Sequence, residues 1–407
     1  MYEAHRHEGD PMPALDGLRI LDMTQYEAGT SCTQALAWLG ADVVKIEPPT
    51  YGDPGRSIAD GQGDAAYFVT WNSNKRSVAI NLATAQGRDL LLSMAPHYDV
   101  FVENYGPGRM EKLGIDYDAM RRANPRIIYG RIKGFGLSGP WQDYKCFDPI
   151  AQAAAGAFSV CGEADGPPTW PGTTTADAGT GLTMALSILA AYIQVQRTGE
   201  SQLIEISMQE AMTYFMRTRV AGAGDWGHAV VPRAGNTRLA TMALYPCAPG
   251  GPNDYAYLLA ITEKHWDALA TTIGQPELVA DPRFATTEQR DANTAELFEI
   301  VAQWTRGRTK FQAMEQLSAG GVPCGAVLDT KELFQNEHLR ERGFIHTLNH
   351  PHHGEIQLLG WAPRLSNSQV EIKRSPLLSE HADEVLQADL GLDDATLQAL
   401  HETGIVG

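Results

Sequence analysis

Leu18-Arg-Ile-Leu-Asp-Met23, a loop through Gly29, a helix-like stretch from Cys32 to Leu39 closed by Gly40, and then Ala41-Asp-Val-Val-Lys-Ile-Glu47 decide the fold. Two short apolar runs rich in β-branched residues flank a segment long enough only for one helix, and glycine is a common helix stop. Strands joined this way must lie parallel, because a tight turn cannot return the chain to the same end of a sheet. The pattern continues with a helix at about Ala85–Pro96, a strand at Tyr98–Asn104 and another at Arg126–Ile132. An open α/β fold follows, its parallel sheet covered by helices on both faces and joined by right-handed crossovers.

Further along, Gly179–Gln196 reads as a long, mostly apolar helix, followed by a strand at Leu203–Ser207 and an amphipathic segment at Met208–Val220. The tract from Ala221 to Asn253 is rich in Gly and Pro and reads as a linker with ligand-facing loops. A smaller α+β unit then begins with a strand at Tyr255–Ile261 and helices near His265–Ile273, Thr287–Arg306 and Lys310–Ala319. The chain continues through Val322–Leu328, a helix at Thr330–Asn336, a strand at Glu355–Gly360 and two closing helices at Ala382–Leu390 and Asp393–Thr403. The expected division is residues 1–220 for a large domain, 221–253 for a linker, 254–328 for a small α+β domain, and 329–407 for a return segment that completes the large domain.

Bulk properties narrow the function. A chain of 407 residues exceeds the usual single core, so two domains are expected. A net charge of −17 repels nucleic acid and anionic membranes, excluding both as main partners. No apolar run reads as long enough to span a bilayer, the best candidate being interrupted by Thr183, Ser187 and Gln194. Residues 1–17 are polar and lack the apolar core of a secretory signal, so they read as a frayed leader, within which Met12 offers an alternative start. Five widely spaced cysteines with no CxxC pair argue against a disulfide framework or thiolate zinc site and point to a reducing, cytoplasmic setting.

The sharpest chemical feature is Pro171-Gly-Thr-Thr-Thr-Ala-Asp177-Ala-Gly-Thr-Gly181, ahead of the long helix. An acid at a helix start is kept charged by the backbone dipole, and glycines let a ligand approach the backbone. Such a carboxylate can attack a thioester to form a mixed anhydride. Aspartate is equally favoured as a plain N-cap, and the local pattern alone does not separate the two. A second cluster, Val102-Glu-Asn-Tyr-Gly-Pro-Gly-Arg-Met110, follows a strand, where parallel sheets bind ligands, although Gly-Pro-Gly would also make a simple turn. No GxGxxG follows the first strand, which disfavours a nicotinamide enzyme of the usual kind. Arg56, the Asn74-Lys75-Arg76-Ser77 run, Arg109, Lys112, Lys133 and Lys145 are candidate phosphate contacts. His346, His350, His352 and His353 match no zinc spacing and read as a polar loop, so no metal site is expected.

Many of these stretches together resemble the class III coenzyme A transferases, the CaiB/BaiF type. They include LDGLRILDMTQYEAGTSCTQALAWLGADVVKIE, NKRSVAINL, VFVENYGPGRMEKLGI, NPRIIYGRIKGFG, TTTADAGTGLTMALSILAAY, GVPCGAV and SPLLSEHADEVLQADLGLDD, in the same order over nearly the whole chain. The resemblance implies a Rossmann-like large domain, an inserted smaller domain and an interlocked homodimer. It implies coenzyme A and acyl-CoA as substrates with no prosthetic group, and Asp177 as the catalytic nucleophile. It places coenzyme A contacts at Glu27, Ala28, Asn104, Tyr105, Gly106, Lys112, Lys145, Phe147 and Asp148, with Gln25 facing the substrate.

Relative to the oxalate-specific members, Glu27 replaces a glutamine, Gln25 a histidine, Pro48 an arginine, Ala83 a lysine and Lys112 an arginine. The phosphate grip must then be rebuilt, with Arg56 and Arg76 as candidates. A glycine run that closes over the aspartate in those members is missing; the nearest tract, Arg233-Ala-Gly-Asn-Thr-Arg238-Leu, suggests Arg233 or Arg238 as a carboxylate clamp. The rival readings are an α-methylacyl-CoA racemase, disfavoured because Cys146-Phe147-Asp148 lacks the histidine of its Gly-His-Asp run, and a non-catalytic coenzyme A-binding subunit, disfavoured by retention of Asp177.

Overall fold

The computed structural model describes residues 12–58 and 64–407; the first eleven residues of the expected leader lie outside them. Six strands, β1 (Arg19–Met23), β2 (Asp42–Glu47), β3 (Arg76–Ala79), β4 (Val100–Glu103), β5 (Ile128–Lys133) and β6 (Gln202–Ser207), form one sheet. Its order is β3-β2-β1-β4-β5-β6, and every neighbouring pair is parallel. This is the doubly wound Rossmann-like order.

Alternate residues on each strand serve opposite faces. Ile20, Val43, Val100, Val102 and Ile128 pack with Cys32, Leu36, Met184 and Ile188 on one side. Leu21, Val44, Phe101 and Tyr129 pack with Leu91, Met94, Val385, Leu386 and Leu397 on the other. The second face is thus completed by the C-terminal helices Ala382–Leu390 and Asp394–Glu402. The chain end is pinned to the sheet edge where Asn81 N–H donates to Ile405 O (2.8 Å) and Gly407 N–H to Ala79 O (3.1 Å).

Strand β3 had no place in the sequence reading, because Arg76-Ser-Val-Ala79 is short and half polar. Helix α1 (Ala28–Ala37) begins four residues ahead of the expected Cys32, and all ten of its residues are buried. A helix buried all round has no polar face, so its start shows no 3.6-residue periodicity. Helix α2 (Ala66–Trp71) is a short turn before β3, and α3 (Asp148–Ala154) follows β5.

The long helix α4 runs unbroken over Thr175–Thr198. Thr183 and Ser187, expected to break its apolar run, bond back to the carbonyls of Gly179 (2.7 Å) and Thr183 (2.9 Å), which satisfies their hydroxyls inside the helix. Its length and composition alone therefore would let it cross a membrane, contrary to the sequence expectation. Here it packs on α1 and the sheet through Met184, Ile188 and Val195. Its glycines serve packing rather than ligand access. A Cβ at Gly181 would lie 2.1 Å from Ser31 Oγ and 2.7 Å from Ala28 O, and one at Gly179 would lie 2.5 Å from Phe215.

The chain divides into two compact units, the second comprising Phe158–Thr169 and His228–Arg342. That unit has a four-stranded antiparallel sheet of β7 (Thr237–Leu239), β8 (Met242–Pro246), β9 (Tyr255–Leu259) and β10 (Cys324–Ala326), in the order β10-β9-β8-β7. Its own core is built from Tyr245, Trp266, Leu269, Phe284, Leu297 and Val301. Two of these strands come from the tract read as linker, where flanking Gly and Pro mask the brief alternation of Met242–Pro246. The expected helix Thr287–Arg306 is split at Asn293 into Thr287–Ala292 and Thr294–Arg306.

The chain re-enters the first unit through a hairpin of β11 (Ile345–His350) and β12 (Gly354–Leu359), so His346 and His350 sit on a strand rather than in a polar loop. Among the described residues no group of His, Cys, Asp and Glu is arranged to hold a metal.

Gly181→Ala tests the α1–α4 contact. Pressing a methyl into backbone and Ser31 should cost about 1–3 kcal/mol, read as a lower urea midpoint at unchanged slope.

Candidate active site at the switch between β1 and β4

Strand order reverses direction between β1 and β4, and in sheets of this kind the carboxyl ends of such a pair open a crevice. Asn104, just past β4, bridges it: its side chain accepts from Gln25 N–H (2.8 Å) and donates to Gln25 O (2.8 Å). The next residue, Tyr26, holds a left-handed backbone (φ 58°), which costs a non-glycine residue roughly 1 kcal/mol. A buried strut offsets that cost. Tyr26 N–H donates to Asp53 Oδ1 (3.1 Å), Asp53 pairs with Lys45 (2.8 Å), and Lys45 also donates to Thr24 O (2.7 Å). The twist aims Tyr26 edge-on at Phe147, with ring centroids 5.7 Å apart.

The start of α4 is fixed from a distance. Asp148 Oδ1 accepts from the amides of Ala176 (2.9 Å) and Asp177 (3.1 Å), while Oδ2 accepts from Gln152 (2.6 Å), which also donates to Thr173 O (2.6 Å). The true N-cap, Thr174, makes no side-chain cap and gives its hydroxyl to Glu27 instead. Asp177 is therefore not an N-cap; it lies in the first turn with its carboxyl turned to the cavity.

That cavity, about 280 Å³, brings together Gln25, Ala28, Asn104, Tyr105, Gly106, Lys145, Phe147 and Asp177. A Cβ at Gly106 would meet no heavy atom within 4 Å, so its backbone is open to a ligand. Glu27 and Asp148 are buried and electrostatically coupled to Asp177. Lys112 is exposed on the short helix Arg109–Leu113 and is not part of the lining.

Four arginines depart from expectation. Arg56 is buried and spent on Glu47 (2.7 Å) and on Asp64, so it has no fork left for a phosphate. Arg76 opens β3, at the amino edge of the sheet, where it pairs with Asp42 (2.7 Å) and Glu384 (3.2 Å). Arg233 donates to the carbonyls of Glu163 (3.1 Å) and Gly166 (2.6 Å) within the second unit, and Arg238 is an exposed residue of β7. Neither Arg56 nor Arg76 lines the cavity.

Sequence reading missed several neighbours. Tyr67 of α2 hydrogen-bonds Glu27 and feels the charge of Asp177, yet its setting Ala65-Ala-Tyr-Phe carries no motif. Gly134 and Tyr144 also line the cavity, as does Cys146 of the expected Lys145–Asp148 segment; the strand-end rule applied to β4 would have found Gly134 after β5. Lys133, a phosphate candidate, lines the wall but is committed to Glu103 (2.9 Å) and Tyr105 O.

Burial, then Glu27, then Asp148 push the Asp177 carboxyl up to about 8. Burial likewise lifts Glu27 to about 7, with Asp148 adding and the hydroxyls of Thr174 and Tyr67 opposing. The helix start was expected to keep Asp177 readily charged, but Asp148 already occupies the amides that would do so. The Cys146 thiol is raised to about 12, chiefly by burial and then by Asp177, which leaves it inert as a thiolate. The nucleophile this site can offer is a carboxylate oxygen.

The chain belongs to CoA-transferase family III, whose family model matches residues 15–382. It is similar to the formyl-CoA:oxalate CoA-transferase of Streptomyces avermitilis, at 39% identity covering 97% of this chain and 99% of that one. The protein of that name from Rhodopseudomonas palustris is 36% identical, with 96% and 97% covered. Among solved structures, a CaiB/BaiF family protein from Brucella suis superposes with a TM-score of 0.82 at 29% identity, covering 93% of this chain and 100% of that one. A hypothetical protein from Mycobacterium tuberculosis gives 0.80 at 27%, with 93% and 100% covered. The protein is an enzyme, a CoA-transferase acting on acyl-CoA and carboxylates.

An acid whose folded pKa is raised binds more protons folded than unfolded, so stability falls as pH rises from about 4 to 8. Asp177→Asn should therefore raise the melting temperature at pH 8.5 by a few degrees, and the gain should shrink toward pH 4, as followed by differential scanning fluorimetry.

Proposed function

We propose that the enzyme transfers coenzyme A between carboxylic acids through covalent intermediates on Asp177. The observation that supports it is a buried carboxyl, 9% exposed, at the wall of a cavity formed on the sheet's switch point beside the open backbone of Gly106. A site of this size suits the thioester end of an acyl-CoA, with the nucleotide lying outside along Lys145 and the exposed Tyr144 and Trp141.

Asp177 attacks the thioester carbonyl carbon; the tetrahedral oxyanion collapses, the C–S bond breaks, and the coenzyme A thiolate leaves a mixed anhydride behind. The thiolate then attacks the Asp177 carbonyl of that anhydride, releasing the donor acid as its carboxylate and forming an aspartyl-CoA thioester. The acceptor carboxylate attacks this thioester and expels the thiolate again. Attack of the thiolate on the acceptor's own carbonyl yields the new acyl-CoA and frees Asp177. Protons and electrons balance at every step, because each nucleophile and leaving group is an anion. Backbone amides beside Gly106 would stabilise the oxyanions in this scheme. Asp148, held by two amides and Gln152, positions the helix turn that carries the nucleophile.

The relatives' names make formyl-CoA and oxalate the first pair to assay, within a panel of formyl-, acetyl- and succinyl-CoA against the matching acids. Asp177→Ala and Asp177→Asn should each lose at least about 10³-fold in CoA exchange. Wild-type protein given acyl-CoA and then hydroxylamine should carry its modification at Asp177 by peptide mass spectrometry. Normal exchange by either variant would sink the reading.

We infer further that the smaller unit is inserted in the larger and that two chains interlock as a homodimer in the cytoplasm. Supporting this, α4 leaves Leu182, Leu186 and Ile193 exposed along one stripe, Leu186 at 69%. Soluble monomers rarely leave such a stripe bare. All five cysteines are free, as a reducing compartment favours. Light scattering should give twice the 44.3 kDa chain mass, and Leu186→Glu with Ile193→Glu should shift it toward the monomer.

A further inference from the structure

Buried acids near the carboxyl edge of the sheet are met by cations, and Glu103 is met by two. Asp22 pairs with Lys75 (2.9 Å), Asp53 with Lys45 (2.8 Å) and Glu47 with Arg56 (2.7 Å). Glu103, the fully buried last residue of β4, pairs with Arg131, its register neighbour on β5 (2.9 Å), and also with Lys133 (2.9 Å). Arg131 reaches on to the exposed Glu111 (2.9 Å). A cation for Glu103 is therefore present without Lys133.

Lys133 closes β5 two residues past Arg131, on the same face of the strand. It is buried, yet it lines the cavity. Its Nζ donates to Glu103 Oε2 (3.0 Å) and to the Tyr105 carbonyl, while Glu103 Oε2 also accepts from Tyr105 N–H (2.8 Å). One lysine–glutamate pair thus grips both backbone polar groups of Tyr105. The C=O and N–H of a trans peptide point in opposite directions. A Tyr105 carbonyl drawn onto Lys133 therefore turns the Gly106 N–H away from the lysine. That N–H makes no hydrogen bond among the described residues, and Pro107 beyond it has none to offer. Gly106 lines the same cavity as Asp177. An ammonium on a peptide carbonyl also polarises the peptide, which makes the N–H at its other end a stronger donor.

We propose that Lys133 is a positioning residue of the transfer: anchored on Glu103, it fixes the Tyr105–Gly106 peptide so that the Gly106 N–H donates to the thioester oxygen of a bound acyl-CoA. This rests on the reading that the thioester lies in this cavity. Lys133 touches no reacting atom and works through the peptide alone. As the thioester oxygen gains negative charge in the tetrahedral intermediate, the bond from Gly106 strengthens. A donor fixed beforehand needs no reorganisation at that moment.

The test compares wild type with Lys133→Met and Lys133→Arg, using the donor and acceptor with the highest rate in the exchange panel. Methionine keeps the stem and removes the charge, while Arg131 stays to pair with Glu103. Lys133→Met should lower kcat about 10²-fold and leave KM for the acyl-CoA largely unmoved. Lys133→Arg should restore most of the loss. A second readout separates positioning from mere stability. Acetyl-CoA, isotope-labelled at its thioester carbonyl, is bound to Asp177→Asn protein without acceptor, and the infrared stretch of that carbonyl reports the hydrogen bond on it. The stretch should lie below that of free acetyl-CoA, and adding Lys133→Met should return it toward the free value. A stretch that Lys133→Met does not move, or an unchanged kcat in Lys133→Met, overturns the role of Lys133. If Lys133→Met does not fold, Lys133→Gln, which also lacks the charge, is read in the same two ways. Full exchange by Asp177→Asn is a different result: it removes the nucleophile and leaves the infrared comparison standing.

Discussion

Asp148 reaches out of one helix to bind the amides of the second and third residues of another, and most of the site hangs on that contact. A helix start normally caps itself with the side chain just ahead of it. Here the work is done by a residue 28 positions earlier in the chain, which frees Thr174 for Glu27 and leaves Asp177 to face the cavity. The same contact places the Asp148 carboxyl behind that of Asp177. One interaction therefore sets the direction of the Asp177 carboxyl and, after burial and Glu27, adds to its reluctance to ionise.

Charge around this point is arranged in two layers. Beneath the crevice, lysines and arginines are consumed by buried acids: Lys75, Lys45, Arg56 and Lys133 all hold loops or strand ends in place. At the cavity wall itself the acids lack cations. The lower layer makes the turn after β1 rigid enough to keep Tyr26 in a left-handed conformation, while burial in the upper layer holds the Glu27 and Asp177 carboxyls above the usual carboxylate range. Breaking one partner of a buried pair leaves an unpaired ion, which costs several kcal/mol, so the lower layer has little freedom to vary independently.

How much of this could be read in advance depended on the kind of signal involved. Alternating strands and helices announced the parallel sheet, since β1, β2, β4 and β5 are apolar runs of ordinary length. The half-polar β3 and the wholly buried α1 carried weaker periodicity, one being missed and the other starting late. In the second unit, β7 and β8 were hidden by surrounding Gly and Pro. For the site, Asp177, Asn104 and Gly106 stood out through glycine-rich turns after strands or before a helix. Tyr67 did not, because nothing in its local sequence departs from an ordinary helix. The arginines misled for a reason of chemistry: a guanidinium suits a buried carboxylate as well as a phosphate, and sequence does not say which it meets.

The amide of Asn104 joins Gln25 through a donor and an acceptor at once, the same pairing that links adjacent strands along the sheet. It thus acts as one more rung beyond the ends of β1 and β4, made by a side chain instead of backbone. The crevice floor is zipped shut at the point where a doubly wound sheet would otherwise splay. The cavity therefore lies over this rung rather than between the strands, with Asp177 from the first turn of α4 in its wall.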